Sequence, residues 1–302
     1  MTARRYDILA VDLDGTLLDP SGRVSERNRA AVAAAREAGL EVVICTGRGL
    51  VESKHILDAI DGRRLPRGWP VAPAAVAGGA MIADAATSRT LHRWPMDAAL
   101  VRRIVARFAD ARVASMVLKD PDAAGFDYLI VDTGQLDPVN VWWFDKMGVQ
   151  RRHVPSLDVD EHPEHTVRVG FAAATAHMYG LGREIMSEFK DQATLHHFAA
   201  VSAKHAADGG RDDSIHILEA FDPHVNKWTA VEWLAAEQGV PRDRIAAIGD
   251  EVNDVALIRG AGLGVAMGNA VEGVRAVAQR HAPTNAEDGV AHAIERILEG
   301  AW

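Results

Sequence analysis

A single cysteine, Cys45, occurs in the 302 residues. That excludes an intramolecular disulfide framework and any zinc site built on cysteines. Aromatic residues are scarce at 6%, and 33 Lys and Arg against 42 Asp and Glu leave a net charge of −9. Such a chain lacks the basic excess that drives salt-dependent nucleic-acid binding, and it lacks a polybasic membrane anchor. Long apolar runs are missing as well: the longest uncharged one, 68–83, is broken by Pro70 and Pro73 and is too short to span a bilayer. No secretory leader is expected, because Arg4 and Arg5 are followed by Asp7 and not by an apolar core region. What is present, 48% hydrophobic and 25% charged residues, is an ordinary globular balance. The length suits one large domain or two of ordinary size. The expectation is a soluble cytoplasmic protein, monomer or homodimer, with neither nucleic acid nor membrane as a partner.

The first structural signal is the apolar run Ile8-Leu9-Ala10-Val11, closed by Asp-Leu-Asp-Gly-Thr. A short continuous run of this kind suits a strand buried on both faces of a parallel sheet. An alanine-rich helix over 24–40, stopped at Gly39, precedes a second run, Val42-Val43-Ile44-Cys45. Strand, helix, strand is a βαβ unit with a right-handed crossover. The C-terminal third repeats the theme. A helix over 228–238 leads to a strand over 245–248, then a helix near 255–259 and a strand over 264–267. A last helix at 290–298 places Val290, Ile294, Ile297 and Leu298 on one face. The middle differs: Leu100, Val101, Ile104, Val105 and Phe108 make a helical stripe, strand-like runs fall at 128–131 and 167–171, and a turn-rich stretch lies at 206–213. The pattern predicts an α/β protein with a Rossmann-like, doubly wound parallel sheet core over 1–84 and 214–302. An α+β domain is inserted over 85–213.

Ligands of such sheets bind beyond the carboxyl ends of the strands. Asp12 and Asp14, Thr46 and Asp250 all fall at that end of three predicted strands. Residues two apart share a strand face, so Asp12 and Asp14 can address one site, and Gly15 permits the sharp turn that follows. Converging carboxylates repel unless a cation intervenes, and oxygen ligands suit Mg²⁺. Thr46 with the amides of Gly47 and Arg48 offers donors for an anion, and Lys227 opens a helix with a positive charge. Each element alone has an ordinary explanation as a turn, a loop or a solvated lysine. Together, at the places the sheet demands, they form the inventory for phosphoryl transfer through an aspartyl-phosphate.

These residues resemble the haloacid dehalogenase superfamily, specifically its Cof-type (type IIB) phosphatases. Asp12-Leu13-Asp14-Gly15-Thr16-Leu17-Leu18 is similar to the first family motif, Cys45-Thr46-Gly47-Arg48 to the second and Lys227 to the third. Gly249-Asp250-Glu251-Val252-Asn253-Asp254 is similar to the fourth, and Val265-Ala266-Met267-Gly268-Asn269-Ala270 to the family's tail signature. The resemblance implies Asp12 as nucleophile and metal ligand. It implies Asp14 as general acid and base, with its carbonyl on Mg²⁺, and Asp250 as a direct metal ligand. Thr46, Gly47 and Arg48 would bind the phosphate with Lys227, which also neutralises the nucleophile; Asn253 and Asp254 would orient phosphate, lysine or metal-bound water. The acid at position 14 favours a phosphatase over a dehalogenase, and the inserted domain is the cap expected to close over a small phosphorylated metabolite. One departure is Gly78-Gly79-Ala80 where the family often has Asn-Gly-Ala, which predicts a looser loop. Another is Ala256-Leu257-Ile258 where Met is common, a neutral packing change.

A phosphomutase of the phosphomannomutase type uses the same cap and the same intermediate, and a non-catalytic binding module on this fold is the alternative of another class. In the middle domain Trp142-Trp143-Phe144 reads as core, and Cys45 as a buried small hydrophobe. His162, His165, His196 and His197 raise a second metal site, but their spacing matches none, and they read as satisfied or solvated histidines.

Overall fold

The computed structural model describes residues 5–66, 68–201 and 215–302. The chain is organised as two compact units. One comprises the residues up to His92 together with Asn226–Trp302, and the other is Arg93–Val225.

The first unit is built on an eight-stranded sheet. Its strands are β1 (Ile8–Val11), β2 (Glu41–Cys45), β3 (Pro73–Val76), β4 (Met81–Asp84) and β5 (Thr90–Arg93). The second unit's strands follow as β6 to β11, and the first unit resumes with β12 (Ile245–Gly249), β13 (Leu263–Ala266) and β14 (Arg280–His281). The order is β14-β13-β12-β1-β2-β3-β4-β5. From β14 to β3 every pairing is parallel, and β4 turns back antiparallel on β3. All four residues of β1 are buried, as are those of β3 and β13, as a strand covered on both faces requires. The chain runs outward from β1 through β2 to β3, then resumes on the other side of β1 with β12. The direction reverses between β1 and β12, which is where doubly wound sheets open a crevice.

The helices that cover this sheet are ended by local chemistry. Glu26–Glu37 begins at Ser25, whose side chain accepts from the Asn28 amide at 3.0 Å. Asn28, buried, donates to the Leu17 carbonyl at 3.2 Å and accepts from the Ala291 amide at 2.9 Å, tying the first loop to the last helix. In that last helix, Gly289–Leu298, Val290, Ile294 and Ile297 are buried, but Leu298 at the final turn is 39% exposed.

The second unit has a six-stranded sheet of β6 (Ser115–Lys119), β7 (Tyr128–Val131), β8 (Arg151–Val154), β9 (Thr166–Ala174), β10 (Thr194–Val201) and β11 (Ile215–Phe221). Their order is β10-β11-β9-β6-β7-β8, antiparallel except between β7 and β8. Helices Ala98–Asp110 and Thr175–Phe189 cover one face: Ile104 and Phe108 from one, Ile185 and Phe189 from the other, join Val117, Val169, Phe171 and Leu218 in a single core. The α+β texture agrees with the expectation, but the edges differ from 85 and 213. Met81–Asp84 and the strand after it extend the first sheet, which carries that unit on to His92. At the other end β11 pairs with β9 and β10, so the inserted unit runs on to Val225. Most of the turn-rich stretch 206–213 was expected to mark the return, and it lies outside the described residues.

The aromatic run divides by helical geometry. On Pro138–Met147, Phe144 is buried with its ring centroid 4.8 Å from that of Tyr128. Trp142 is 54% exposed and carries the Lys146 ammonium over its ring at 4.6 Å. Residues two apart on a helix point about 200° apart, so Phe144 can face the core while Trp142 cannot.

Candidate active site

The crevice at the β1/β12 reversal collects the polar residues that follow the strands. β1 ends at Val11 and delivers Asp12; the Asp12 amide donates to the Ile248 carbonyl of β12 at 3.1 Å, which fixes it between the two strands. The chain then makes a wide turn, with Leu17 donating to the Asp12 carbonyl and Leu18 to the Leu13 carbonyl. Gly15 stands at φ +81°, and a Cβ there would lie 2.1 Å from Asp250 Oδ2. Only glycine lets this loop approach Asp250 so closely.

Asp12 and Asp254 flank Lys227. The Lys227 ammonium, 1% exposed, donates to Asp12 Oδ1 at 2.5 Å and to Asp254 Oδ1 at 2.7 Å. Asp254 is held in turn by the amides of Asp250 and Glu251, at 3.0 and 3.1 Å on Oδ2. Burial alone would lower the lysine's pKa, but the two carboxylates outweigh it and raise it, so the ammonium stays charged. Burial pushes Asp12 well above the usual carboxylate range. Lys227 opposes that rise, while Asp254, Asp250 and Asp14 reinforce it. Asp250 is pushed up to about 7, by burial first; the Thr16 hydrogen bond and Lys227 pull it down, and Asp254 and Glu251 add to the rise.

Thr46, buried, follows β2; its hydroxyl accepts from the Arg48 amide at 3.1 Å. Gly47 lies beside Asn253: a Cβ on the glycine would stand 3.9 Å from Asn253 Nδ2. Asn253 Oδ1 is shut from solvent with no hydrogen-bond partner among the described residues. The Arg48 side chain pairs with Asp14: its Nε and Nη2 both donate to the carboxylate, at 2.8 and 2.5 Å. Asp14 itself is 57% exposed, in contrast to Asp12.

Four residues that carry the site had no role assigned from sequence. Thr16 donates to Asp250 Oδ1 at 2.7 Å, and Asn269 donates to Asp250 Oδ2 at 3.2 Å and to the Gly15 carbonyl at 2.8 Å. Asn226 accepts from the Thr229 amide at 3.1 Å and so caps the helix Lys227–Glu237 that carries the lysine. Gly79, at φ +95°, abuts the same Asn226. Thr16 and Asn269 lie inside the quoted motifs, which was the available signal. The loop of Gly78-Gly79-Ala80 is not slack: all three are buried, Gly78 donates to the Thr46 carbonyl at 2.9 Å, and Ala77 to that of Arg48 at 2.8 Å. Cys45 is buried and free, its thiol pushed up by burial, which removes it as a nucleophile.

The donor set fits a hard divalent cation. Asp12, Asp250 and Asp254 each place a carboxylate oxygen within 4.8 Å of the others. Asp254 is the most heavily engaged of the three, by the Lys227 ammonium and two backbone amides, whereas Asp12 carries only the Lys227 bond and Asp250 one neutral side-chain donor on each oxygen, so the ion falls most readily to Asp12 and Asp250. Burial first, and the neighbouring carboxylates after it, raise the pKa of both, and a bound cation would favour their ionised forms against both effects.

A family model for haloacid dehalogenase-like hydrolases matches residues 9–294. The chain belongs to that family. It is 26% identical over 297 residues to the 5-amino-6-(5-phospho-D-ribitylamino)uracil phosphatase YitU of Bacillus subtilis, covering 96% of this chain and 97% of that one. It is 26% identical over 301 residues to the pyridoxal phosphate phosphatase YbhA of Escherichia coli, covering 97% and 98%. Among solved structures, a haloacid dehalogenase-like hydrolase from Bacteroides thetaiotaomicron superposes with a TM-score of 0.75 at 22% identity, covering 97% and 99%. A subclass IIB sugar phosphatase does so at 0.72 and 17%, covering 96% and 98%. These two likenesses concern the fold.

Proposed function

We propose that this protein is a Mg²⁺-dependent phosphatase of a small phosphorylated metabolite, working through an aspartyl-phosphate on Asp12. The observation that carries the reading is the buried Lys227 ammonium bridging Asp12 and Asp254 where the sheet reverses. A buried carboxylate with one oxygen fixed on a lysine ammonium is placed to act as a nucleophile, and the lysine's charge favours its ionised form against the effect of burial.

In this reading an Asp12 oxygen attacks phosphorus and the bond to the leaving alkoxide breaks. Asp14 gives that oxygen its proton. Water then attacks the phosphorus of the acyl phosphate, Asp14 takes the water's proton, and Asp12 is released with inorganic phosphate. The exposure of Asp14 suits a group that exchanges protons with both leaving group and water. Thr46 and the Gly47 amide hold phosphoryl oxygens, Asn253 Nδ2 lies close to Gly47, and Lys227 offsets the charge that builds on them. Asp12 and Asp250, with the main-chain carbonyl of Asp14, would hold the cation, which when bound neutralises charge on the carboxylates and the phosphoryl group. Arg48 holds Asp14 by its side chain and the Thr46 hydroxyl by its amide, and so positions two residues of the site.

The substrate class is supported by relatives named as phosphatases of a phosphoribitylaminouracil and of pyridoxal phosphate, matched over nearly their full lengths. The test is phosphate release from a panel of phosphorylated metabolites, with and without Mg²⁺, beside Asp12→Asn. Release that needs Mg²⁺ and disappears in the variant is expected. Full turnover by Asp12→Asn would overturn the nucleophile, and an isomeric sugar phosphate without free phosphate would identify a mutase.

A further inference from the structure

Of the four histidines singled out in the middle of the sequence, the fold brings two together with a carboxylate. His162 precedes a short 3₁₀ turn, Pro163–His165, and the His165 amide donates to the His162 carbonyl at 3.1 Å. In such a turn residues three apart eclipse. The two imidazoles accordingly share one edge, with ring centroids 5.8 Å apart and planes inclined by 26°. Glu164 folds back so that its Oε1 lies 3.2 Å from His165 Nε2. One ligand atom from each of His162, Glu164 and His165 lies within 4.8 Å of the other two. His196 and His197 belong to β10; His197 instead meets His216 at 3.1 Å.

We infer that His162, Glu164 and His165 form a binding site for a divalent transition-metal ion of the zinc type. Two imidazole nitrogens and one carboxylate oxygen are a donor set that suits Zn²⁺ and is wrong for Mg²⁺, which takes oxygen. The proposal does not depend on the phosphatase reading, because its donors lie wholly within the inserted unit.

The backbone beneath the three donors is fixed by an unusual device. Lys119, fully buried, donates to Asp160 Oδ2 at 2.5 Å, to the His162 carbonyl at 3.0 Å and to Thr166 Oγ1 at 2.7 Å. The other Asp160 oxygen accepts from the His162 amide at 3.0 Å, and the His165 carbonyl accepts from the Asp120 amide at 2.9 Å. Both histidines are thus anchored on either side of Pro163, whose ring limits the turn further. A preorganised backbone is what allows a three-residue segment to hold an ion without a large ordering cost. A second observation points the same way. His165 Nδ1 is shut from solvent and has no hydrogen-bond partner among the described residues. A buried ring nitrogen left without a partner is costly, so the Nδ1 side of this ring is unused by the described residues. His162 also borders a cleft of about 220 Å³, lined further by Arg152, His153, Asp160 and Glu161, which leaves an approach for solvent or a fourth ligand.

The test uses the full chain, stripped with a chelator, carrying Asp12→Asn and Asp250→Asn to disable the carboxylate site. Equilibrium dialysis against Zn²⁺ is expected to give one ion per chain that excess Mg²⁺ does not displace. His162→Gln with His165→Gln on the same background is expected to abolish it. Glu164→Gln should weaken it by at least about tenfold, the loss that even an outer-shell partner brings. The Cε1 proton signals of His162 and His165 should shift with the first equivalent. If the disabled chain fails to fold, the wild-type chain in excess Mg²⁺ is compared with its His162→Gln/His165→Gln derivative, and the same difference of one ion is expected. Zn²⁺ uptake that survives the histidine substitutions, or no stoichiometric uptake by the parent chain, overturns the assignment.

Discussion

A Cβ built on Gly79 would lie 2.3 Å from the backbone oxygen of Asn226, and 2.9 Å from the Cα of Lys227. The loop after β3 therefore presses directly on the start of the helix that supplies the lysine. Gly79→Ala must move backbone, not a side chain, and must do so at φ +95°. The expected loss is about 2–4 kcal/mol, combining overpacking with the left-handed conformation. Because Asn226 caps that helix, turnover measured at a temperature where the variant is folded should fall as well. Urea unfolding and phosphate release read the two effects separately. Wild-type stability in Gly79→Ala would show that the contact with Asn226 yields freely.

Lys227 is the only cation bonded to Asp12 and Asp254 among the described residues. Lys227→Met leaves both carboxylates buried without a counter-charge, and removing one partner of a buried pair costs about 3–5 kcal/mol. Turnover should be lost with it. Adding Asp254→Asn removes one of the stranded charges and should recover part of the stability without restoring activity. A double-mutant cycle by chemical denaturation checks the coupling between the two positions. Strict additivity would contradict the bridge.

How much of this was legible beforehand follows from distance along the chain. Asp12, Thr46 and Asp250 were readable because each ends an apolar run, and a parallel sheet sends such positions to one crevice. Lys227 drew attention only through its place at a helix start. Thr16 and Asn269 lie in the quoted motifs but drew no role, since Thr16 meets Asp250 across 234 positions and Asn269 does so from the loop after the next strand. Arg48 drew attention through its amide, while the pairing of its guanidinium with Asp14, 34 residues earlier, has no local pattern to announce it. The edges of the inserted unit were misplaced for a similar reason: the pairing of β11 with β9 and β10 decides where that unit ends, and pairing partners are not written locally. The grouping of His162 with Glu164 and His165 came from a 3₁₀ turn, whereas spacing rules for metal sites assume helices or loops.

The raised Asp250 carboxyl makes a prediction about pH. In the unfolded chain an Asp titrates near 3.9; in the folded protein this one is pushed up to about 7. The native state therefore binds its proton more tightly, so the contribution to stability is fully present below about pH 4 and is lost as pH rises through about 7. Without metal, the melting temperature should decline between pH 5 and 8, and Asp250→Asn should flatten that decline. A divalent cation competes with the proton, so Mg²⁺ should raise the melting temperature more at pH 8 than at pH 5.5. An equal Mg²⁺ effect at both values would remove Asp250 from the metal site.

Asp14 offers the sharpest separation of chemistry from stability. Its side chain is more than half exposed, and its pairing with Arg48 lies at the mouth of the crevice. Ion pairs that face solvent contribute at most about 1 kcal/mol. Asp14→Asn should therefore leave unfolding nearly unchanged. Loss of a positioned acid and base costs about 10²–10⁴ in rate, so turnover should fall steeply. The size of that loss should depend on the leaving group, because an alcohol of low pKa departs without a proton. Phosphate release from an aryl phosphate should thus fall less than release from an alkyl phosphate such as a sugar phosphate. Arg48→Lys keeps the charge beside Asp14 but removes the two-point fork, and should lower turnover by less than Asp14→Asn does. Equal losses on aryl and alkyl substrates would mean that Asp14 positions the site and does not protonate the leaving oxygen.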